Sequence, residues 1–232
     1  IRYCLLTGDS AVTLGTRSRQ FANPPFNRIV VIRSKFDAWI AAKAVQAGAT
    51  LLTGHKVDNL LFRGRKAVGV RLSYPQDGDI YADVVILADG SNSLLGSQAR
   101  LIPKIKSRDM SLYAKEVIAL PADTIEERFN LGPGEGAGIG LVGYNTAGLV
   151  GTSSIHTYID SIGINVGILV STLKEAGLNL SDLLERIKSH PLIAPLIDGG
   201  RTVEYTAHLI PDGGYNAIPK VVHDGALILS LI

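Results

Sequence analysis

Val84-Val85-Ile86-Leu87-Ala88-Asp89-Gly90-Ser91-Asn92-Ser93 is the stretch on which the reading of this chain turns. Its β-branched apolar run predicts a buried strand. The run stops at Asp-Gly, and small polar residues follow. Such a loop lets backbone approach a ligand closely, because glycine has no Cβ to block it. Its amides and hydroxyls can bind phosphate or ribose, and Asp89 can accept from hydroxyls or hold a water. A strand ending in Asp-Gly is common, so its weight comes from what surrounds it.

Upstream, Val57 to Phe62 and Ala67 to Leu72 predict a hairpin around Arg63-Gly64-Arg65, and Ile80-Tyr81-Ala82-Asp83 leads into the Asp-Gly strand. Arg28 to Ile32 reads as a strand. Ser34 then reads as an N-cap answered by Asp37. Phe36, Trp39, Ile40, Ala44 and Ala47 recur at helical spacing, and Gly48 closes that helix. Arg2 to Thr7 and Ala11 to Thr16 are strand-like around a Gly8-Asp9-Ser10 turn. Downstream, Ser111 to Leu120 is strand-like, and Asp123 with Glu126 predicts a capped short helix that Gly132-Pro133-Gly134 stops. Strands at 137–143, 147–156 and 160–170 joined by short turns predict an antiparallel sheet. Ser181 reads as the cap of a helix ended by Pro191, and Thr202 to Leu209 returns as a strand. The fold class expected is α/β (α+β). Residues 28–107 and 206–232 would make a partial nucleotide-binding domain, and 1–27 and 108–205 an antiparallel-sheet domain.

The 232 residues carry 46% apolar and 19% charged side chains, which suits a core-bearing protein, and the apolar runs are too short to span a bilayer. No amino-terminal stretch reads as a signal peptide, and the chain does not begin with Met, so its true start is expected to lie elsewhere. Cys4 is the single cysteine, which rules out an internal disulfide and points to a reducing compartment. A net charge of +2 gives no reason to expect nucleic acid. Arg100, Lys104, Lys106 and Arg108 form a basic cluster, read as a solvated loop or as a contact with an acidic partner or an anionic membrane surface.

Gly138-Ile139-Gly140-Leu141-Val142-Gly143 fits G-x-G-x-x-G but is followed by a turn into another strand. It is therefore not expected to bind a dinucleotide, which needs a helix there. The five histidines are scattered without metal-ligand spacing, so no metal is expected. Ser153-Ser154 with His156 lacks the G-x-S-x-G elbow of a nucleophile. Glu126 and Glu127 read as helix-solvating. Arg33 can clamp phosphate bidentately or pair with Asp37. In Ile210-Pro211-Asp212-Gly213-Gly214-Tyr215-Asn216-Ala217-Ile218-Pro219-Lys220, two prolines and two glycines fix a loop that can lay backbone and Tyr215 against a planar ring.

Four stretches together resemble the FixC family of flavoproteins, relatives of electron-transfer flavoprotein:quinone oxidoreductase and of geranylgeranyl reductases. They are Val31 to Trp39, Val85 to Ser93, Lys115-Glu116-Val117-Ile118-Ala119-Leu120-Pro121 with Ile125 to Leu131, and Ile210 to Lys220. The resemblance implies an aromatic-hydroxylase-like architecture, with one domain binding FAD and an antiparallel sheet covering the flavin. It places Arg33, Val57, Asp89 and Gly90 near FAD, and Gly213, Gly214 and Tyr215 near the flavin or the acceptor side. It implies electron transfer from an electron-transfer flavoprotein towards quinone or a ferredoxin-like partner, in the cytoplasm or at the membrane face. No residue is nominated as acid, base or nucleophile. Family members begin with a strand, G-x-G-x-x-G and a helix, and continue into a Gly-Asp segment where Leu229-Ser230-Leu231-Ile232 stands here. The expectation is an internal fragment that binds FAD weakly or not at all and does not turn over. The alternatives are a geranylgeranyl reductase-like enzyme and a cofactor-free module for an apolar ligand or interaction.

Overall fold

The computed structural model describes residues 1–26, 29–91, 93–102, 106–212, 214, 218 and 220–229, leaving aside the side chains of Arg19 and Ala22. In chain order the elements are β1 (Arg2–Leu6), β2 (Ala11–Gly15), α1 (Arg33–Gln46), β3 (Lys56–Arg63), β4 (Lys66–Tyr74), β5 (Gly78–Tyr81), β6 (Val85–Leu87), α2 (Leu94–Gln98), β7 (Met110–Ala119), α3 (Ala122–Phe129), β8 (Gly138–Gly143), β9 (Gly151–Thr157), β10 (Ser161–Leu169), α4 (Val170–Ala176), α5 (Leu180–Lys188), α6 (Ala194–Ile197), β11 (Arg201–Pro211), β12 (Val222–His223) and β13 (Ala226–Ile228). This is the mixed α/β fold with antiparallel sheets that the sequence predicts. Two compact units divide the chain: Ile1–Asp37 with Ser111–His208, and Ala38–Met110 with Leu209–Ile232. Among the described residues no helix is long and apolar enough to cross a membrane.

In the first unit seven strands run in the order β11-β7-β10-β9-β8-β1-β2. The alternation in β10 explains its place inside the sheet, between β7 and β9. Ile162, Ile164, Val166 and Ile168 point to one face and are all buried, while Gly163, Asn165 and Gly167 point to the other. Against the apolar face lies α5, whose Leu180, Leu183, Leu184 and Ile187 recur at helical spacing and are buried. Ile125 and Phe129 of α3 and Leu173 of α4 complete that core. The G-x-G-x-x-G stretch is strand β8, and a short 3-10 turn, Tyr144–Thr146, follows it, as the sequence reading required.

The second unit has two three-stranded sheets, β3-β4-β5 and β12-β13-β6. Its core is small: Leu60, Leu87, Ile102 and Ile228, with Val70, Val85 and Leu95 against them. Gly225 joins the sheets. Ala67 N donates to Asp224 O and Val85 N to Gly225 O, both at 2.9 Å. Gly225 sits at φ +72°, and a Cβ there would overlap the carbonyl of Ala67.

Several local expectations change. The helix α1 starts at Arg33, one residue before Ser34, because Lys35 N and Phe36 N both reach Ile32 O. Asp37 therefore bonds Arg33 instead of answering a cap. Its end is as predicted: Gly48, at φ +99°, donates to Val45 O, and Ala49 to Ala44 O. Likewise Asn179, not Ser181, precedes α5, and Pro121, not Asp123, precedes α3, which closes at left-handed Asn130. The strand expected at Arg28 to Ile32 begins outside the described residues, and 29–32 join no ladder. A β-branched run becomes a strand only where a partner takes its hydrogen bonds. The Asp-Gly strand shrinks to three residues and is not buried throughout. Leu87 is covered, but Ile86 is 55% exposed, because β6 is an edge with β13 as its neighbour.

Candidate functional site

Strand β6 positions the Asp-Gly loop, and the loop positions α2. Gly90 takes φ +76°, a conformation open to glycine at little cost, and Ser93 N donates back to Gly90 O. The Asp89 carboxylate closes the turn. Oδ1 accepts from Ser93 Oγ and Oδ2 from Leu95 N, each at 3.0 Å. A carboxylate at the start of a helix answers an orphan amide and the helix dipole together. Ser91 Oγ donates to Leu209 O at 2.6 Å and ties the loop to the end of β11.

Beside this loop lies a groove of about 480 Å³, lined by Val57 of β3, Val70 of β4, the 85–89 stretch, Leu94 and Leu95. Two predicted positions from different strands, Val57 and Asp89, thus share one groove, and Gly90 adjoins it. None of the lining residues is a cation, and the one charge is the Asp89 carboxylate. The groove therefore fits a flat, uncharged group better than it fits a diphosphate.

Arg33 opens α1 and spends its guanidinium on Asp37, with Nε–Oδ1 at 2.7 Å and a second bond at 3.1 Å. Asp37, by hydrogen bond and then by charge, raises the Arg33 pKa above its ordinary value. Gly214 adopts φ +65° with open space at its Cβ position. Gly213 and Tyr215 lie outside the described residues. Among the described residues no group of His, Cys, Asp and Glu could hold a metal.

A second feature escaped the sequence reading. On the face of the seven-stranded sheet away from α5, Gly140, Ser154, Asn165 and Lys115 are paired neighbours on β8, β9, β10 and β7. Asn165 Nδ2 donates to Ser154 Oγ at 2.9 Å, and Ser154 Oγ lies 3.3 Å from His156 Nδ1. The Lys115 ammonium sits 5.4 Å from the ring centroid of Tyr158. Tyrosines lie over the sheet glycines: a Cβ on Gly140 would stand 2.8 Å from the Tyr3 ring, and one on Gly163 would stand 3.0 Å from Tyr158. The signal is present in β10 as small and polar residues alternating with Ile and Val, but the alignment of strands that makes a row of them is not.

No family model matches the chain. Its fold is shared with a geranylgeranyl bacteriochlorophyll reductase-like protein from Thermoplasma acidophilum, at a TM-score of 0.72 and 17% identity over 98% of this chain and 53% of that one. It is shared too with the myxobacterial chondrochloren halogenase, a variant of FAD-dependent halogenases, at 0.68 and 19% over 98% and 51%. The architecture is thus shared with a reductase-like protein and with an FAD-dependent halogenase.

By sequence the chain is similar to FixC proteins. It is 45% identical to Protein FixC of Azotobacter vinelandii over 220 residues, 95% of this chain and 51% of that protein. It is 41% identical to that of Azorhizobium caulinodans and 39% identical to that of Escherichia coli K12, over 98% of this chain and 52% of each. The chain spans about half the length of the curated relatives it matches.

Proposed function

We propose that this chain forms part of the machinery of a FixC-type, FAD-dependent oxidoreductase, which passes electrons from an electron-transfer flavoprotein towards quinone or a ferredoxin-like partner. The observation that carries the proposal is the 39–45% identity to FixC proteins over nearly all of the chain. The groove beside the Asp-Gly loop supports it, because an apolar slot ending in small residues suits a flat heterocycle.

In this reading Val57 and the backbone at Ala88 and Gly90 hold the adenine end of FAD. Asp89 keeps the loop in shape, and Gly213, Gly214 and Tyr215 serve the flavin or acceptor side. Arg33 contributes to phosphate binding only by giving up Asp37, so the diphosphate charge is met chiefly by groups outside the groove. The flavin, when bound, supplies the redox chemistry, and the protein orients it and tunes its potential.

The test is a titration of the 232-residue chain with FAD and with AMP, read by flavin fluorescence and by amide chemical shifts at Val57 and Ala88. Weak binding of both, lost in Ala88→Trp, is the expected result. Occupation of the groove by an isoprenoid alcohol, with no response to AMP or FAD at millimolar concentration, would overturn it in favour of a cofactor-free module for apolar ligands.

A further inference from the structure

The β1–β2 hairpin closes one end of the seven-stranded sheet and leaves β2 with a neighbour on one side only. Ile1 and Thr16 exchange both backbone bonds, Ile1 N to Thr16 O at 3.1 Å and Thr16 N to Ile1 O at 2.9 Å, and Thr7 N donates to Ser10 O at 2.9 Å. In an antiparallel ladder bonded pairs alternate with unbonded ones. Val12 and Leu14 therefore turn their backbone groups to β1. Ala11, Thr13 and Gly15 turn theirs outward, where no strand among the described residues takes them. Natural sheet edges are blunted by charge, proline or a bulge. Ala11-Val12-Thr13-Leu14-Gly15 carries neither charge nor proline, and its register with β1 is unbroken. Val12 and Leu14 stand 64% and 72% exposed on one face. Such an edge is a template for a further strand.

We propose that this edge pairs with the same edge of a second copy of the chain, antiparallel about a two-fold axis at Thr13. In that register Thr13 faces Thr13 of the second copy and Ala11 faces Gly15, so the outward backbone groups of both strands are satisfied together. Val12 of one copy lies beside Leu14 of the other on the apolar face, and threonine beside threonine is a favourable cross-strand pair. Charge selects a second copy as the occupant. The same register brings Asp9, in the turn before β2, opposite Arg17, just past its end, once at each end of the ladder. Among the described residues Asp9 takes hydroxyl donors, from Thr7 and Ser10, and no cation. The Arg17 side chain is 64% exposed and holds Glu135 and the Asn130 carbonyl, with guanidinium donors left over. A register shifted by two residues in either direction loses an outward pair within the strand and the match of Asp9 to Arg17. A single ladder of this length is small for a protein interface, so the association is weak and concentration-dependent.

The experiment is sedimentation velocity on the whole chain from about 10 μM to about 1 mM. The expected result is a reversible monomer–dimer equilibrium. Thr13 is exposed, so it accepts a charged side chain without loss of the fold, which circular dichroism checks. Thr13→Lys and Thr13→Glu each set like charges at the axis and should weaken the dimer about tenfold or more, while an equal mixture of the two should recover parent-like association. Register is read in a Cys4→Ser background, because Cys4 Sγ lies 3.2 Å from Thr13 Oγ1 and would capture a new thiol there. Thr13→Cys should then form a disulfide-linked dimer on mild oxidation, since bonded partners stand about 5.5 Å apart at Cα. Ala11→Cys, opposite Gly15, should not. A chain that stays monomeric throughout the range overturns the proposal. So does a dimer that ignores both charges at Thr13, which belongs to another surface, and so does a mixture of the charged variants that stays monomeric. Cross-linking at Ala11 in place of Thr13 overturns the register.

Discussion

Lys188 of α5 reaches across the core of the first unit to Glu116 of β7 at 2.9 Å, and to Glu185 one turn back at 2.6 Å. Glu116 is nearly covered, with its side chain 6% exposed, and its other oxygen accepts from Thr202 Oγ1 of β11. The pair thus joins a central helix to two adjacent strands. Removing the cation in Lys188→Met leaves a carboxylate with one hydroxyl partner in a place water barely reaches. Breaking a fully buried pair costs about 3–5 kcal/mol. Lys188 keeps 19% of its side-chain exposure and part of its bonding goes to exposed Glu185, so about 2–3 kcal/mol is expected here. Glu116→Gln keeps an acceptor for Thr202 and should cost about 1 kcal/mol. The double variant Lys188→Met with Glu116→Leu should recover most of the single loss, because it removes the stranded charge as well as its partner.

The assay is urea unfolding followed by far-UV circular dichroism, with hydrogen exchange of β7 and β10 amides to isolate this unit from the other. A Lys188→Met chain within about 0.5 kcal/mol of the parent would refute the reasoning, since that is the scale of an ordinary surface change. A pH arm checks the sign. Burial alone lowers the Lys188 pKa, but the hydrogen bonds its ammonium donates to Glu185 and Glu116, and their charges, outweigh it, and the net shift is upward. A raised lysine stabilises fully below its unfolded pKa of about 10.4, and the contribution is lost as pH rises through the folded value. The difference between parent and Lys188→Met should therefore be flat at neutral pH and shrink only in the alkaline range.

Two further substitutions probe the second unit. Gly225→Ala combines a left-handed φ with an overlap against the Ala67 carbonyl, so a loss of about 3 kcal/mol is expected. Fluorescence of Trp39, the single tryptophan, should report it as a lowered midpoint, and a parent-like midpoint would show that the two sheets are not joined as described. Asp89→Ala removes both acceptors of the turn and should cost about 1 kcal/mol with faster exchange of the Leu95 amide, while Asp89→Asn should lose less. Unchanged Leu95 exchange in Asp89→Ala would contradict the capping role.

Local chemistry made much of this legible in the sequence. The β1–β2 and β3–β4 hairpins follow from turn residues between alternating strands, and Gly64 takes the left-handed φ, +62°, that its turn needs. Gly48 ends α1 because its φ is positive. Errors fell where a non-local partner decides. Asn179 and Ser181 are both good cap residues, and α5 begins directly after Asn179 because Leu180 belongs in the core with Leu183, Leu184 and Ile187. Val84 to Leu87 has the composition of a buried strand, yet what covers a strand is its neighbours, and β6 has one. Val57 and Asp89 could be placed together only through the family resemblance, since no spacing rule links them.

The row of Ser154, Asn165 and Lys115 shows what a single sequence withholds and how a fold supplies it. Those residues are no metal motif or nucleophile elbow, and 39 positions separate Lys115 from Ser154. The apolar alternation brings them into line. Ile164 pairs with Ile155 and Glu116, and Val166 with Ser153 and Ala114, so the residues between, Asn165, Ser154 and Lys115, are forced onto the opposite face together. A one-residue slip of β7 against β10 would exchange the faces. It would drive Lys115 into the apolar core and turn Glu116 away from Lys188. The buried Glu116–Lys188 pair therefore acts as a register lock that also fixes which residues of β7 stand on the other face of the sheet. That coupling predicts that substitutions which break the lock lower the exchange protection of the β7 amides, and full protection of β7 in Lys188→Met would sink the connection.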